Sequence, residues 1–239
     1  MYTNQQSFVD NAFQYDTTAY DHRMSDHELR YRARRNLAEL TRLIDRLFDH
    51  HSRILVVRID LRYRKEVAKT VSLETAQFHR KLLLEDRRSH TEVFAGLLGY
   101  AWGLEYGERE GGYHYHLLAL YNGAERRDDI STGMAICDLW DTITNGCGQC
   151  YISNYDKVKL ESEGNLGIGM IHRDDFRLRV NLIEKVASYI TKKCNALDVE
   201  SGITDSGNFR TFGKSRMEKP LNPNMPRRGR PPVSREGNW

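Results

Sequence analysis

The chain has 239 residues, 39% hydrophobic and 29% charged, with a mean hydropathy of −0.67. It is long enough to bury a core, yet it has no run of the roughly 18 apolar residues a membrane span needs, and residues 1–10 lack the basic and apolar stretches of a secretory signal. Four cysteines are too few for a disulfide scaffold and fit a reducing, cytoplasmic setting, while the net charge of +3 conceals two basic clusters of the kind that suit a polyanion: residues 30–35, and residues 214–239 with seven Lys/Arg against two acids.

Residues 1–25 are polar and aperiodic. Leu37, Leu40, Leu43, Ile44 and Leu47 then recur at helical spacing and predict a helix over about 26–50. Residues 53–64 alternate as a strand does, with Leu55, Val57, Ile59, Leu61 and Tyr63 on one side and Arg58, Asp60 and Arg62 on the other. Asp60 therefore reads either as a solvent-facing strand residue or as an outer partner of a metal site. A second helix is expected from Ser72 to about 89. Strands at 98–106 and 113–122 flank a Gly-rich turn at 107–112, which makes a hairpin. A third helix spans 129–144 and stops before Asn145-Gly146. Weak alternation over 151–161 predicts another strand, and Leu182, Ile183, Val186 and Ile190 mark a helix over about 174–196. The pattern is α+β: a central antiparallel sheet with helices packed on it. It divides into a polar arm and helix (1–50), a main domain (51–217) and a basic tail (218–239).

The sharpest feature is Tyr113-His114-Tyr115-His116. Two histidines at i and i+2 of a strand point to one face, where two imidazoles can hold one divalent ion. A pair of ordinary strand histidines would look the same. If Gly107 pairs with Gly112 across the turn, Glu105 falls opposite His114, with Cβ atoms about 5 Å apart, and becomes a third ligand. A one-residue slip would put Tyr106 there instead and leave Glu108 or Glu110 as substitutes. Two histidines and a carboxylate on an open sheet face leave coordination positions free, the style of a catalytic site.

A second constellation lies in Val186-Ala187-Ser188-Tyr189-Ile190-Thr191-Lys192-Lys193. On a helix Lys185, Tyr189 and Lys193 stack, with Lys192 beside them. Nearby ammonium groups favour a phenolate, as a tyrosine nucleophile requires, and they can hold a phosphate. An amphipathic tyrosine among solvated lysines is the plainer reading. Cys147-Gly-Gln-Cys150 has zinc spacing but lacks a second half; Cys137, His172 and Cys194 are the remaining donors. Gly164 to Gly169 follows no strand–helix unit and is weak as a nucleotide loop.

The segments VVRIDLRY, GLEYGEREGGYHYHLLALYNG, KVASYITKK and RTFGKSR resemble, over about residues 50–217, the HUH endonucleases. The resemblance is to the inovirus gene-two-like replication proteins, also called the YagK/YfjJ C-terminal domain family. It implies a five-stranded sheet related to ferredoxin-like folds, and an enzyme that nicks single-stranded DNA at a replication origin. It implies Tyr189 as the nucleophile that becomes joined to the 5′-phosphate, with Lys192 or Lys193 beside it. It also implies Mg²⁺ or Mn²⁺ held by His114, His116 and Glu105. The chain carries no P-loop, so a host helicase and polymerase are the expected partners. Two rivals are a sheet that binds single-stranded nucleic acid without cutting it, and a zinc-stabilised interaction protein built round Cys147 and Cys150.

Overall fold

The computed structural model describes residues 26–85, 89–107, 112–193 and 210–216. Along the chain run α1 (Asp26–His50), β1 (Arg53–Tyr63), α2 (Lys65–Ala68), α3 (Leu73–Glu85), α4 (Thr91–Phe94), β2 (Leu97–Gly107) and β3 (Gly112–Asn122). They are followed by α5 (Asp129–Ile143), β4 (Gly148–Ile152), α6 (Lys157–Ser162), β5 (Gly169–His172), α7 (Phe176–Asn181), α8 (Ser188–Lys193) and β6 (Phe212–Lys214). The six strands form one open antiparallel sheet in the order β4-β1-β3-β2-β6, with β5 also pairing β1. The class is the expected α+β, with one strand more than the resemblance implies.

β1 is buried on both faces. Leu55, Val57, Ile59, Leu61 and Tyr63 pack with Trp102, Leu104 and Tyr115 beneath Leu83 of α3 and Ile136 and Trp140 of α5. On the other face Ile54, Val56, Ala101, Leu118 and Leu120 meet Leu40, Leu43, Ile44 and Leu47 of α1, together with Val186, Ala187 and Ile190. Each such side chain contributes about 2 kcal/mol on burial. Helix and sheet thus share one core across residue 50. The helices on the second face cover only its apolar end. Alternation along β1 puts Arg58, Asp60 and Arg62 on this same face beyond its apolar end, where Tyr189 of α8 meets Arg58 and the site forms. Of the two histidines expected on an open face, His114 is half-buried and borders an open cleft, whereas His116 is 1% exposed and Asp60 beside it 5%.

One edge of β1 is shared by two short strands. β4 pairs with residues 59–63 and β5 with residues 53–56. In the gap between them the Asn154 side chain replaces a strand. Its Oδ1 accepts from the Arg58 backbone N–H at 3.0 Å. Its Nδ2 donates to the Val56 carbonyl at 2.9 Å and to Asp129 at 2.6 Å, and Lys157 pairs with Asp129 at 2.8 Å.

This arrangement explains where the sequence reading fails. The strand expected over 151–161 ends at Ile152, because a side chain takes over the edge pairing; a 3₁₀ turn (Ser153–Asp156) and α6 follow. The helix expected over 174–196 is α7 and α8 joined by a wide π turn, Leu182–Ala187. The short elements β5, β6, α2 and α4 are additions. α3 starts where Ser72 Oγ accepts from Thr75 N–H. α5 stops where expected, at Asn145 and Gly146, both in the left-handed region (φ 54° and 77°). The polar arm 1–25, the hairpin turn 108–111 and the tail 218–239 lie outside the described residues.

Asn154→Ala strands two backbone groups of β1 and removes one partner of Asp129. The expected loss is about 3 kcal/mol, read as a lower urea midpoint with an unchanged slope. A midpoint equal to the parent's would refute the role given to this carboxamide.

Candidate metal centre and adjoining tyrosine

The β2–β3 hairpin has the register anticipated from its glycines: Gly107 pairs with Gly112, Glu105 with His114 and Gly103 with His116. β1 then sets Asp60 opposite His116. One ligating atom each from Glu105, His114 and His116 lies within 4.8 Å of the others, the one such group of three among the described residues. His116 Nε2 donates to Glu105 Oε2 at 2.8 Å, and His114 Nε2 is 3.5 Å from the same oxygen. The two imidazoles stand perpendicular, 5.0 Å between centroids. Behind them His116 Nδ1 donates to Asp60 Oδ1 at 2.6 Å. Asp60 is flanked by Arg62 at 3.4 Å and Arg58 at 3.9 Å.

Burial alone would raise the Asp60 and Glu105 carboxyls and lower the His116 imidazole. Their mutual hydrogen bonds and charges outweigh it. Glu105 is held well below the usual carboxylate range by His114 and His116, Asp60 is lowered chiefly by His116, and His116 is raised by the two carboxylates. The cluster thus favours a proton on His116, which sits between two acids. The same geometry suits a divalent ion. With Nδ1 committed to Asp60, Nε2 faces Glu105 and His114, the arrangement in which a carboxylate orients a metal-ligating histidine. Two nitrogens and one carboxylate oxygen suit Mn²⁺ better than Mg²⁺, which prefers an all-oxygen shell.

Tyr189 lies against this cluster. Its ring is 5.1 Å from that of His116 at 76°, and the Arg58 guanidinium sits over the ring, 4.4 Å from its centroid. Lys185 and Lys192 border a cleft of about 460 Å³ with Arg58 and Tyr189; the side chain of Lys193 lies outside the described residues. The cation stacked on the phenol is therefore an arginine of β1, where the sequence suggested lysines of the tyrosine's own helix. Arg58 was visible in the sequence only as one charge of an alternating strand. Its place on the same face as Asp60, two residues away, was the available clue.

The cysteines stand apart. Cys150 and Cys137 share a hydrogen bond that, with burial, pushes the Cys150 thiol far up and keeps it protonated. Cys137, Cys147 and Cys150 are free thiols and enter no group of three candidate ligands among the described residues.

A family model described as YagK/YfjJ C-terminal domain matches residues 15–129. The match spans α1 through β3 and so includes Asp60, Glu105, His114 and His116; Tyr189 lies beyond it. No curated protein and no solved structure matches the chain. Among the described residues no helix is long and apolar enough to cross a membrane.

A divalent ion such as Mn²⁺, if held at His116 Nε2, would displace a proton from that nitrogen, so its affinity is expected to rise with pH. Calorimetry in two buffers of different ionisation enthalpy should record proton release near pH 6; binding without release would contradict this proton placement. In the metal-free protein, the raised His116 contributes stability fully below its ordinary 6.5 and loses it as pH rises through the folded value. Asp60 contributes above its ordinary 3.8 and loses that as pH falls through its lowered value. Thermal melts of Asp60→Asn against pH should lack the acid-side slope and show a shallower one on the His116 side, where Glu105 still holds the ring.

Proposed function

We propose that the protein nicks single-stranded DNA by transesterification at Tyr189, at an origin from which rolling-circle replication of a phage, prophage or plasmid starts. The observation that carries this reading is the contact of the Tyr189 ring with His116, the buried member of the ligand cluster. A nucleophile and a candidate metal centre are thereby side by side on one sheet face. The likeness of residues 15–129 to the YagK/YfjJ C-terminal domain supports it from the sequence.

In the proposed step Tyr189 Oη attacks a backbone phosphorus. The Oη–P bond forms and the P–O3′ bond breaks. The phenolic proton passes to water, and the departing 3′ oxygen takes one up. The products are a 5′-phosphotyrosine link and a free 3′-OH that can prime synthesis. A divalent ion held by Glu105, His114 and His116 would supply Lewis-acid polarisation of a phosphate oxygen. Asp60 fixes the His116 ring that the phenol rests on. Arg58 restrains the phenol and adds positive charge where the phosphate arrives. Lys192, at the cleft rim, meets flanking phosphates. Unwinding of duplex DNA and synthesis fall to a helicase and polymerase of the host cell.

The test is a covalent-adduct assay with single-stranded DNA from the protein's own replicon and Mn²⁺, run on a denaturing gel. A shifted protein band is expected, absent with EDTA and in Tyr189→Phe. Arg58→Ala should form it about 10–100-fold more slowly, as expected when a reacting group loses its positioning. No band from the parent, with native-gel binding intact, would instead favour a sheet that binds single strands without cutting them.

A further inference from the structure

The sheet face that carries the cluster continues onto β4. Tyr151 pairs with Asp60 and Gln149 with Arg62, so both β4 side chains share the face of His114 and His116. Beyond His114, at the end of the sheet away from α8, a cleft of about 660 Å³ opens, walled on its far side by α2 and the start of β3. Its lining brings together two cations, Arg62 and Lys65, the exposed phenol of Tyr151 and the carboxylate of Asp60. Gln149 adds a carboxamide, and His114 forms the inner end. Tyr151 is 45% exposed, yet its hydroxyl donates to Asp156, which anchors the ring.

The cations, the ring and the carboxamide each have a counterpart in one unpaired nucleotide. Exposed aromatic faces stack on bases, Arg and Lys meet phosphates, and a carboxamide offers both a donor and an acceptor to a base edge. The cleft is open to solvent, which suits a strand passing through better than an enclosed metabolite. It holds His114 but neither His116 nor Tyr189, and Tyr189 approaches the cluster from the opposite, α8 end. Attacking and leaving oxygens of a phosphoryl displacement lie in line on opposite sides of phosphorus. We infer that this cleft is the pocket for the nucleotide immediately 5′ of the break, the one that leaves with the free 3′-OH. The pocket's polarity rests on the nicking reading; its occupancy by single-stranded DNA does not.

Two measurements on the full chain separate these. The first is fluorescence anisotropy with a random-sequence 12-nucleotide single strand and the matching duplex as probes. Tyr151→Ala and Arg62→Ala should each weaken single-strand binding about tenfold, with duplex binding unchanged. Tyr151→Phe, which keeps the ring but not its tie to Asp156, should bind between the parent and Tyr151→Ala, and Mn²⁺ affinity should hold in Tyr151→Ala, which guards against a general loss of structure. Equal single-strand binding by the parent and both alanine variants overturns the pocket. The second is sequencing of the 3′ ends released from a randomised 40-nucleotide strand with Mn²⁺. Gln149→Ala should alter base preference at the last nucleotide before the break and leave the first nucleotide after it unchanged; the reverse overturns the polarity. Weakened binding in the variants without breakage by the parent would uphold the pocket and defeat the Tyr189 chemistry alone.

Discussion

The hydrogen bond between Asp60 and His116 joins two strands at a point where both side chains are almost wholly buried. A buried carboxylate alone costs several kcal/mol, and so does a buried imidazolium; together, and with Glu105 on the far nitrogen, each makes the other tolerable. The bond also decides orientation. With Nδ1 spoken for, the ring cannot turn, and Nε2 is left facing Glu105 and His114. Tyr189 then packs on a ring whose plane is already set. The position of the phenol relative to the ligands is thus inherited from a contact between β1 and β3.

The site's ligands were legible because a hairpin is a local object. Glycines at both ends of the turn pinned the register, and a period of two then placed Glu105 opposite His114. α1 was equally plain, since a long amphipathic stripe has few alternative readings. The failures share a different cause. Alternation shows that Arg58, Asp60 and Arg62 share a face, but not that helices cover only its apolar end, because that depends on how far α1 and α8 reach. The strand expected over 151–161 failed because Asn154 substitutes a side-chain amide for backbone pairing, and no local pattern announces such a substitution. The arginine over Tyr189 was hidden in the same way: residues 58 and 189 meet only once the sheet and α8 are assembled.

Arg58 illustrates why the two halves of the centre are not independent. Its backbone is tied to Asn154, and its side chain lies near Asp60 and over Tyr189. One residue of the central strand therefore links the edge network, the carboxylate that orients His116, and the phenol. A guanidinium suits that place because it can stack flat on a ring while its edge nitrogens point to an acid.

The separations along the chain carry a consequence for how the protein assembles. Glu105 and His116 are 11 residues apart, a loop of small closure cost, so the three candidate ligands belong to one locally formed hairpin. The orienting carboxylate is 56 residues from His116, and the Asn154 amide is 96 from the backbone group it satisfies. Contacts of such long range have a large ordering entropy to overcome and characterise slow steps. The ligand set is therefore the early part of the centre in folding time. What turns it into an aligned site, the outer carboxylate and the clamped phenol, arrives with the last closures of the sheet.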